Sequence, residues 1–387
     1  MKLSVTRSEL WRGIDTVLDA VPSKPALPVL SNILLVAEKD GLSLAATDLD
    51  LSIRTQIVAA VERPGSITVP ARTFAEITRE WPEAELTIEV SDDRLRLSGS
   101  LGEVEGSEGA YSLSGMPADD FPGMPERLSG LSLELDKIEG LDSQGLGKMI
   151  SKTAFAVSRD DTRPVLNGVL WRIDAEGMLM VATDGHRFAH YRKKLNLGDE
   201  VQGEGADAIM PPQALSQVVK LLGGTDELVR VTLGESQVLF DLGATQLLSR
   251  LIEGPYVDYT QVIPKENDKH LRIASEQFLP AVRRVSILSS SYTHQIRLKL
   301  GENSIDLSAA SPEIGGEARE VIPAGYDQEE MDIGYNAQYL MEILRKMDAQ
   351  EVLFQLNNQV TAAMLRPVEQ ADVEDYFCLL MPLRPTG

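Results

Sequence analysis

The sequence predicts an α+β protein built from three copies of one domain, each with two helices packed on antiparallel sheet. Three observations carry this. The first is an internal repeat: at an offset of 136 residues, Leu27-Pro28-Val29-Leu30-Ser31-Asn32 falls on Arg163-Pro164-Val165-Leu166-Asn167-Gly168, and Ala46-Thr47-Asp48 falls on Ala182-Thr183-Asp184 with no gap between. The second is a recurring helix start. Val69-Pro70-Ala71-Arg72-Thr73-Phe74 meets Met210-Pro211-Pro212-Gln213-Ala214-Leu215 at an offset of 141, and Tyr335-Asn336-Ala337-Gln338-Tyr339-Leu340 takes the same role in the last third. The third is a set of short β-rich or alternating runs separated by Gly, Asp or Asn turns.

Taken in order, each copy opens on a helix. Thr6-Arg7-Ser8-Glu9 reads as a capping box, with Thr6 and Glu9 satisfying each other's amides. Leu10, Trp11, Ile14, Val17, Leu18 and Val21 then share one helical face. The matching helices cover roughly Ser143 to Val157 and Ser275 to Leu288, with Pro280 near the first turn of the latter. The second helix of each copy ends near Trp81, Leu222 and Met347. Strands are expected at Ile33–Val36, Leu42–Ala45, Leu86–Val90, Leu95–Ser98, Val169–Ile173, Met178–Ala182, Val229–Leu233, Val238–Leu242, Ile296–Leu300 and Ile305–Ala309. The copies close on strands over Tyr111–Pro117, Leu247–Glu253 and Tyr376–Pro382. Turn-rich stretches at Gly123–Ser129 and Pro255–Lys265 set the expected domains at 1–124, 125–260 and 261–387.

Composition bounds the function. The 387 residues carry one cysteine, Cys378, four histidines and a formal charge of -22. This excludes an internal disulfide framework and a cysteine-rich metal centre, and no histidine pair suggests zinc. No run of about 18 apolar residues is present, so no membrane span is read. A soluble cytoplasmic protein that needs no cofactor is expected. So acidic a chain is a poor partner for nucleic acid if its charge is spread evenly, but the cations fall in register. Arg79, Lys220 and Arg345 share one aligned position in the second helices. Lys148, Lys152, Arg283 and Arg284 sit on the first helices. Read as one shared basic surface, they would neutralise phosphates without reading bases.

The most function-like string is Val181-Ala182-Thr183-Asp184-Gly185-His186-Arg187-Phe188-Ala189. One reading makes Asp184, His186 and Arg187 a catalytic cluster, but no nucleophile elbow, phosphate loop or dinucleotide fingerprint accompanies them. The aligned Asp48 has no histidine beside it. The simpler reading is a turn in which Asp184 bonds its own backbone, with His186 on a groove wall. The apolar C-terminal strand Tyr376–Arg384 is expected to pack or to line a groove, where Met381 adapts to varied partners.

The chain resembles the bacterial DNA polymerase III beta subunits, the sliding clamps, over its whole length. The resemblance rests on Leu27-Pro28-Val29-Leu30 with Asn32, Thr68-Val69-Pro70-Ala71-Arg72, Leu166-Asn167-Gly168 and Ala182-Thr183-Asp184-Gly185-His186-Arg187. It rests also on Asp258-Tyr259 with Val262-Ile263-Pro264-Lys265, Ile333-Gly334-Tyr335-Asn336 and Met381-Pro382-Leu383-Arg384. It implies a head-to-tail homodimer forming a six-domain ring around double-stranded DNA. Such a ring is not an enzyme; it tethers the replicative polymerase alpha subunit, the clamp loader and repair proteins. Their peptides would occupy a groove made by Leu166, Thr183, Gly185, His186, Arg187, Phe188, Val257, Gln261 and Val262. The groove's other side carries over to Asn336, Tyr339, Val360, Leu379, Met381, Pro382, Leu383 and Arg384. DNA contacts carry over to Lys24, Arg72 and Arg163, and the ring interface to Tyr111, Leu113, Ile287 and Leu288. Pro164 and Val165 replace tyrosines found in some members, and Gln261 replaces an arginine. A three-domain adaptor that never encircles DNA is the alternative within the same architecture.

Overall fold

The computed structural model describes residues 1–102, 106–198, 201, 205–223, 229–313 and 315–384. The first third runs β1 (Lys2–Thr6), α1 (Arg7–Leu18), β2 (Asn32–Glu38), β3 (Gly41–Thr47), β4 (Leu51–Ile57), β5 (Ala60–Arg63), β6 (Gly65–Pro70), α2 (Ala71–Glu80), β7 (Glu85–Ser91), β8 (Arg94–Ser100) and β9 (Glu108–Ser114). The second runs β10 (Leu131–Glu134), α3 (Ser143–Thr153), β11 (Val169–Asp174), β12 (Gly177–Thr183), β13 (Arg187–Lys194), β14 (Ala206–Met210), α4 (Pro212–Leu222), β15 (Arg230–Leu233), β16 (Gln237–Leu242) and β17 (Thr245–Arg250). The third runs β18 (Lys269–Ala274), α5 (Ser275–Val285), β19 (Gln295–Gly301), β20 (Ser304–Ser311), β21 (Gly316–Pro323), β22 (Met331–Asn336), α6 (Ala337–Met347), β23 (Glu351–Leu356), β24 (Ala363–Pro367) and β25 (Glu374–Leu380). The α+β order of strand, helix, strands, helix, strands recurs in each third, so each copy opens on a short strand and not, as expected, on the helix itself. No helix among the described residues is long and apolar enough to cross a membrane.

The chain forms two compact units that do not follow the expected copy boundaries. One comprises Met1–Lys137, Asp142–Gln144 and Ser216–Leu251; the other comprises Ile138–Leu141, Gly145–Leu215 and Ile252–Gly387. The reason is strand pairing. In the first unit β17 bonds to β4, giving a continuous antiparallel sheet β10-β15-β16-β17-β4-β3-β2-β6 beside the sheet β5-β1-β7-β8-β9. In the second unit β13 bonds to β25, giving β14-β11-β12-β13-β25-β24-β23-β18 beside β21-β20-β19-β22. Every run expected as a strand lies in a strand or within a residue of one. The closing strands end at Ser114, Arg250 and Leu380, a few residues earlier than expected.

Alternation decides which face of each sheet is buried. In the first unit Ile33 and Leu35, Leu42 and Leu44, and Ile53 and Ile57 are essentially inaccessible, as are Leu10, Ile14 and Val17 of α1. Gly13 lets α1 approach closely, since a Cβ there would lie 2.9 Å from both Ile57 and Leu44 side chains. Half of the expected capping box forms. Thr6 Oγ1 accepts from the Glu9 amide at 3.3 Å, but the Glu9 carboxylate turns to Arg12 at 2.8 Å. Pro280 lies inside α5, which starts at Ser275 as expected.

Candidate functional site

The string 183–187 forms a turn between β12 and β13. Asp184 Oδ1 accepts from the amides of His186 (2.8 Å) and Arg187 (2.9 Å), and Thr183 Oγ1 accepts from the Gly185 amide (3.1 Å). The aligned turn in the first unit repeats the pattern: Asp48 Oδ1 takes the amides of Asp50 and Leu51, and Thr47 Oγ1 that of Leu49. Both turns need a left-handed residue. Gly185 supplies it at φ +91 without strain, whereas Leu49 adopts φ 83 with a side chain. This is the physical content of the departure between copies: glycine clears space that leucine fills.

The turn fixes Arg187, whose side chain is only 10% exposed. Its guanidinium donates to Asp184 Oδ2 (3.1 Å), to the Phe155 carbonyl (2.7 Å) and to Glu342, and it lies 4.6 Å above the Tyr339 ring. Every side of the fork is engaged, so Arg187 holds other residues in place. Tyr339 is set from the opposite direction. Asn336 caps α6, its Oδ1 accepting from the amides of Gln338 and Tyr339. The Asn336 side chain is spent there. His186, exposed, stacks on Tyr339 with ring centres 6.2 Å apart.

The apolar side of the site rests on a packed floor. Leu170, Leu179, Val181, Phe188, Tyr259, Ala362, Phe377 and Leu379 form one buried cluster, with Val165, Tyr256, Ile263 and Met364 against it. Leu166 is buried as well. Around this floor Val257, Val262, Val360 and Met381 are exposed apolar residues, an arrangement that invites an apolar partner. The end of the chain is stitched to both sides: the Met381 amide donates to the His186 carbonyl (2.9 Å) and the Leu383 amide to that of Gly334 (2.8 Å). Pro382 and Leu383 are half-buried and Arg384 is exposed. Gln261 donates to Asp258 Oδ2 at 2.9 Å, and Asp258's bonds from Thr260 and then Gln261 hold its carboxyl below the usual range.

The cations divide into three groups. Lys24, Arg72, Arg283 and Arg345 are exposed. Arg79, Lys148, Arg163, Lys220 and Arg284 are also exposed but paired, with Glu80, Glu374, Asp160, Asp19 and Glu320 respectively. Lys152 corrects the expected basic surface. It is 8% exposed, donates to the Met347 carbonyl at 3.1 Å and lies 4.7 Å over the Tyr376 ring. Burial holds its pKa below the lysine norm. Its ammonium caps the C-terminal end of α6 and is not presented to phosphates. Among the expected interface residues, Tyr111 and Ile287 are exposed and Leu113 and Leu288 half-buried; Tyr111 also packs edge-on against Trp81.

Sequence reasoning missed Glu342 and the Phe155 carbonyl, the partners that immobilise Arg187. Glu342 carried a signal: it lies three residues after Tyr339 on α6 and therefore shares its face. Among the described residues no cluster of His, Cys, Asp or Glu could hold a metal ion.

The comparisons follow the repeat. The DNA polymerase III beta subunit N-terminal, central and C-terminal domain models match residues 1–125, 140–258 and 260–384. The chain is 33% identical to the Caulobacter vibrioides beta sliding clamp and 30% identical to that of Bacillus subtilis, in each case over 99% of this chain and 100% of the relative. Its structure matches a sliding clamp from Bartonella birtlesii bound to griselimycin with a TM-score of 0.90, at 29% identity and full coverage of both chains. The chain therefore belongs to the DNA polymerase III beta subunit family, and it is a DNA sliding clamp, a non-catalytic accessory subunit of replication.

Proposed function

We propose that two copies of this chain, each of three domains at 1–124, 125–260 and 261–387, close head to tail into a ring around double-stranded DNA in the cytoplasm. A ring holds its substrate by topology, so local affinity stays low and sliding stays possible. The exposed Lys24, Arg72, Arg283 and Arg345 supply diffuse phosphate attraction, joined by Arg79, Lys148, Arg163, Lys220 and Arg284 when phosphates compete with their carboxylate partners. Acidic residues elsewhere repel DNA from the remaining surface. Tyr111 and Leu113 of one protomer meet Ile287 and Leu288 of the next, a heterologous contact that closes when the rotation allows it.

The groove recruits the polymerase alpha subunit, the clamp loader and repair proteins. Peptides with leucine or phenylalanine anchors pack against Val257, Val262, Val360, Met381, Pro382 and Leu383, over the floor that contains Leu166, Phe188 and Leu379. His186 and Tyr339 line the polar end, and Thr183, Gly185, Arg187 and Asn336 hold it in shape. Gln261 and Arg384 form the rim. Tethering raises the polymerase's effective concentration at the primer end.

The observation that carries this reading is the full-length, three-part family match together with exposed apolar side chains at the groove positions. The test is retention on DNA. Protein loaded onto nicked circular DNA is expected to stay bound at high salt and to be released when the circle is linearised. Salt-sensitive binding indifferent to topology would favour an adaptor that never encircles DNA.

A further inference from the structure

The first unit contains a cavity of about 400 Å³ between the sheet β17-β4-β3-β2 and the segment 121–126. It lies on the sheet face turned away from α1: Leu34 and Val36, Ser43 and Ala45, and Arg54 and Gln56 alternate with the residues that face the core. The matching face of the second unit carries larger side chains and forms the packed floor of the groove described above. There Leu179 and Val181 stand where the first copy has Ser43 and Ala45, 136 residues earlier. His190 and Phe377 pair across β13 and β25, their rings stacked at 4.5 Å; the same ladder position in the first unit holds Arg54 and Gln246. Tyr259 completes the aromatic filling with Phe188 at 5.9 Å. Smaller and more polar residues thus line the hollow of the first unit at positions where the second unit places large apolar and aromatic side chains.

The hollow has a definite chemistry. Leu34, Val36, Phe121 and Met124 are half-buried and give it an apolar wall. Arg54 supplies charge from the sheet. Its Nη2 donates to Gln246 Oε1 at 2.6 Å; among the described residues its Nη1 faces only the exposed Glu126 carboxylate, 3.9 Å away and outside hydrogen-bond reach. A guanidinium with one open edge beside an apolar wall matches an apolar side chain next to a carboxylate.

We infer that this cavity is a second peptide-binding site, separate from the groove of the second unit, for a segment carrying a leucine or phenylalanine side chain beside an aspartate or glutamate. The ligand's carboxylate takes Nη1 of Arg54, and Glu126 swings into solvent. The inference rests on Arg54 and the cavity wall, and the clamp groove enters its test only as the folding control.

The test uses the full chain with ¹³C-methyl methionine, because Met124 lines this cavity and Met364 and Met381 report on the other site. The probes are acetyl-Leu-Phe-Asp-amide and its asparagine counterpart. The aspartate peptide is expected to shift the Met124 methyl saturably in the millimolar range, and the asparagine peptide to bind roughly tenfold more weakly. Arg54→Gln is expected to remove that preference. Ser43→Leu with Ala45→Val, which imports the second unit's residues, is expected to abolish the Met124 shift while leaving Met381 responsive, which also shows that the variant is folded. The inference is overturned if Met124 stays unmoved at about 10 mM peptide, or if both peptides bind equally. It is also overturned if Met124 moves with protein concentration alone, which would make the occupant a second copy of this chain.

Discussion

Replacing Arg187 with methionine keeps the aliphatic stem and deletes the guanidinium. Three partners are stranded. Asp184, 12% exposed, loses its 3.1 Å bond but keeps the His186 and Arg187 amides. The Phe155 carbonyl loses its donor, and Glu342, 46% exposed, turns to water. Breaking a buried ion pair costs about 3–5 kcal/mol when the survivor is left bare. The two retained amides place Arg187→Met at the lower end, about 3 kcal/mol including the orphaned carbonyl. Urea unfolding followed by Trp171, the second unit's only tryptophan, reads this cost. Tyr339 loses the cation beneath its ring, so affinity for a leucine-anchored peptide should fall about tenfold. Arg187→Lys should recover only part of both losses, because a point charge cannot reproduce the fork. An unfolding free energy within about 0.5 kcal/mol of the parent protein would refute the latch and return Arg187 to the status of a surface contact.

Other predictions concern the groove, the DNA surface and the buried thiol. Met381→Ala with Leu383→Ala should weaken anchored peptides at least tenfold by fluorescence anisotropy while leaving the dimer intact in sedimentation. Arg345→Ala should lower the slope of log affinity for short linear duplex against log salt by about 0.9. Lys152→Met should leave that slope unchanged, because its ammonium faces Met347 and Tyr376. Burial pushes the Cys378 thiol up to about 12 from 9.0. A raised acid pKa gives stability that is full below pH 9 and is lost as pH climbs toward about 12. Cys378→Ala should therefore flatten the alkaline limb of the denaturation profile, and the folded parent protein should resist thiol reagents at pH 8.

Local and repeated features were legible. The 136-residue offset placed β2 and β3 on β11 and β12, and it identified Asp184 as a backbone-bonding turn because Asp48 does the same without a histidine. The helix starts at Ala71, Pro212 and Ala337 followed from their aligned openings. What sequence could not supply was long-range. Lys152 shares its helix with exposed cations, and its burial comes from a carbonyl 195 residues away. The pairings β4 with β17 and β13 with β25 join different copies, so no local periodicity announces them. They are also what places the C-terminal strand beside the 183–187 turn. Without that pairing, the apolar end and the histidine turn are two unrelated motifs.

The central claim is that paired chains enclose DNA with their exposed helical cations directed at it. Electron-microscopic class averages of the purified protein test this most directly, with Ile287→Asp as the control that breaks the interface. The account predicts closed two-chain rings with a central opening wide enough for a duplex, and open single chains for the variant. Two-chain particles with no opening, or rings that persist in Ile287→Asp, would contradict it.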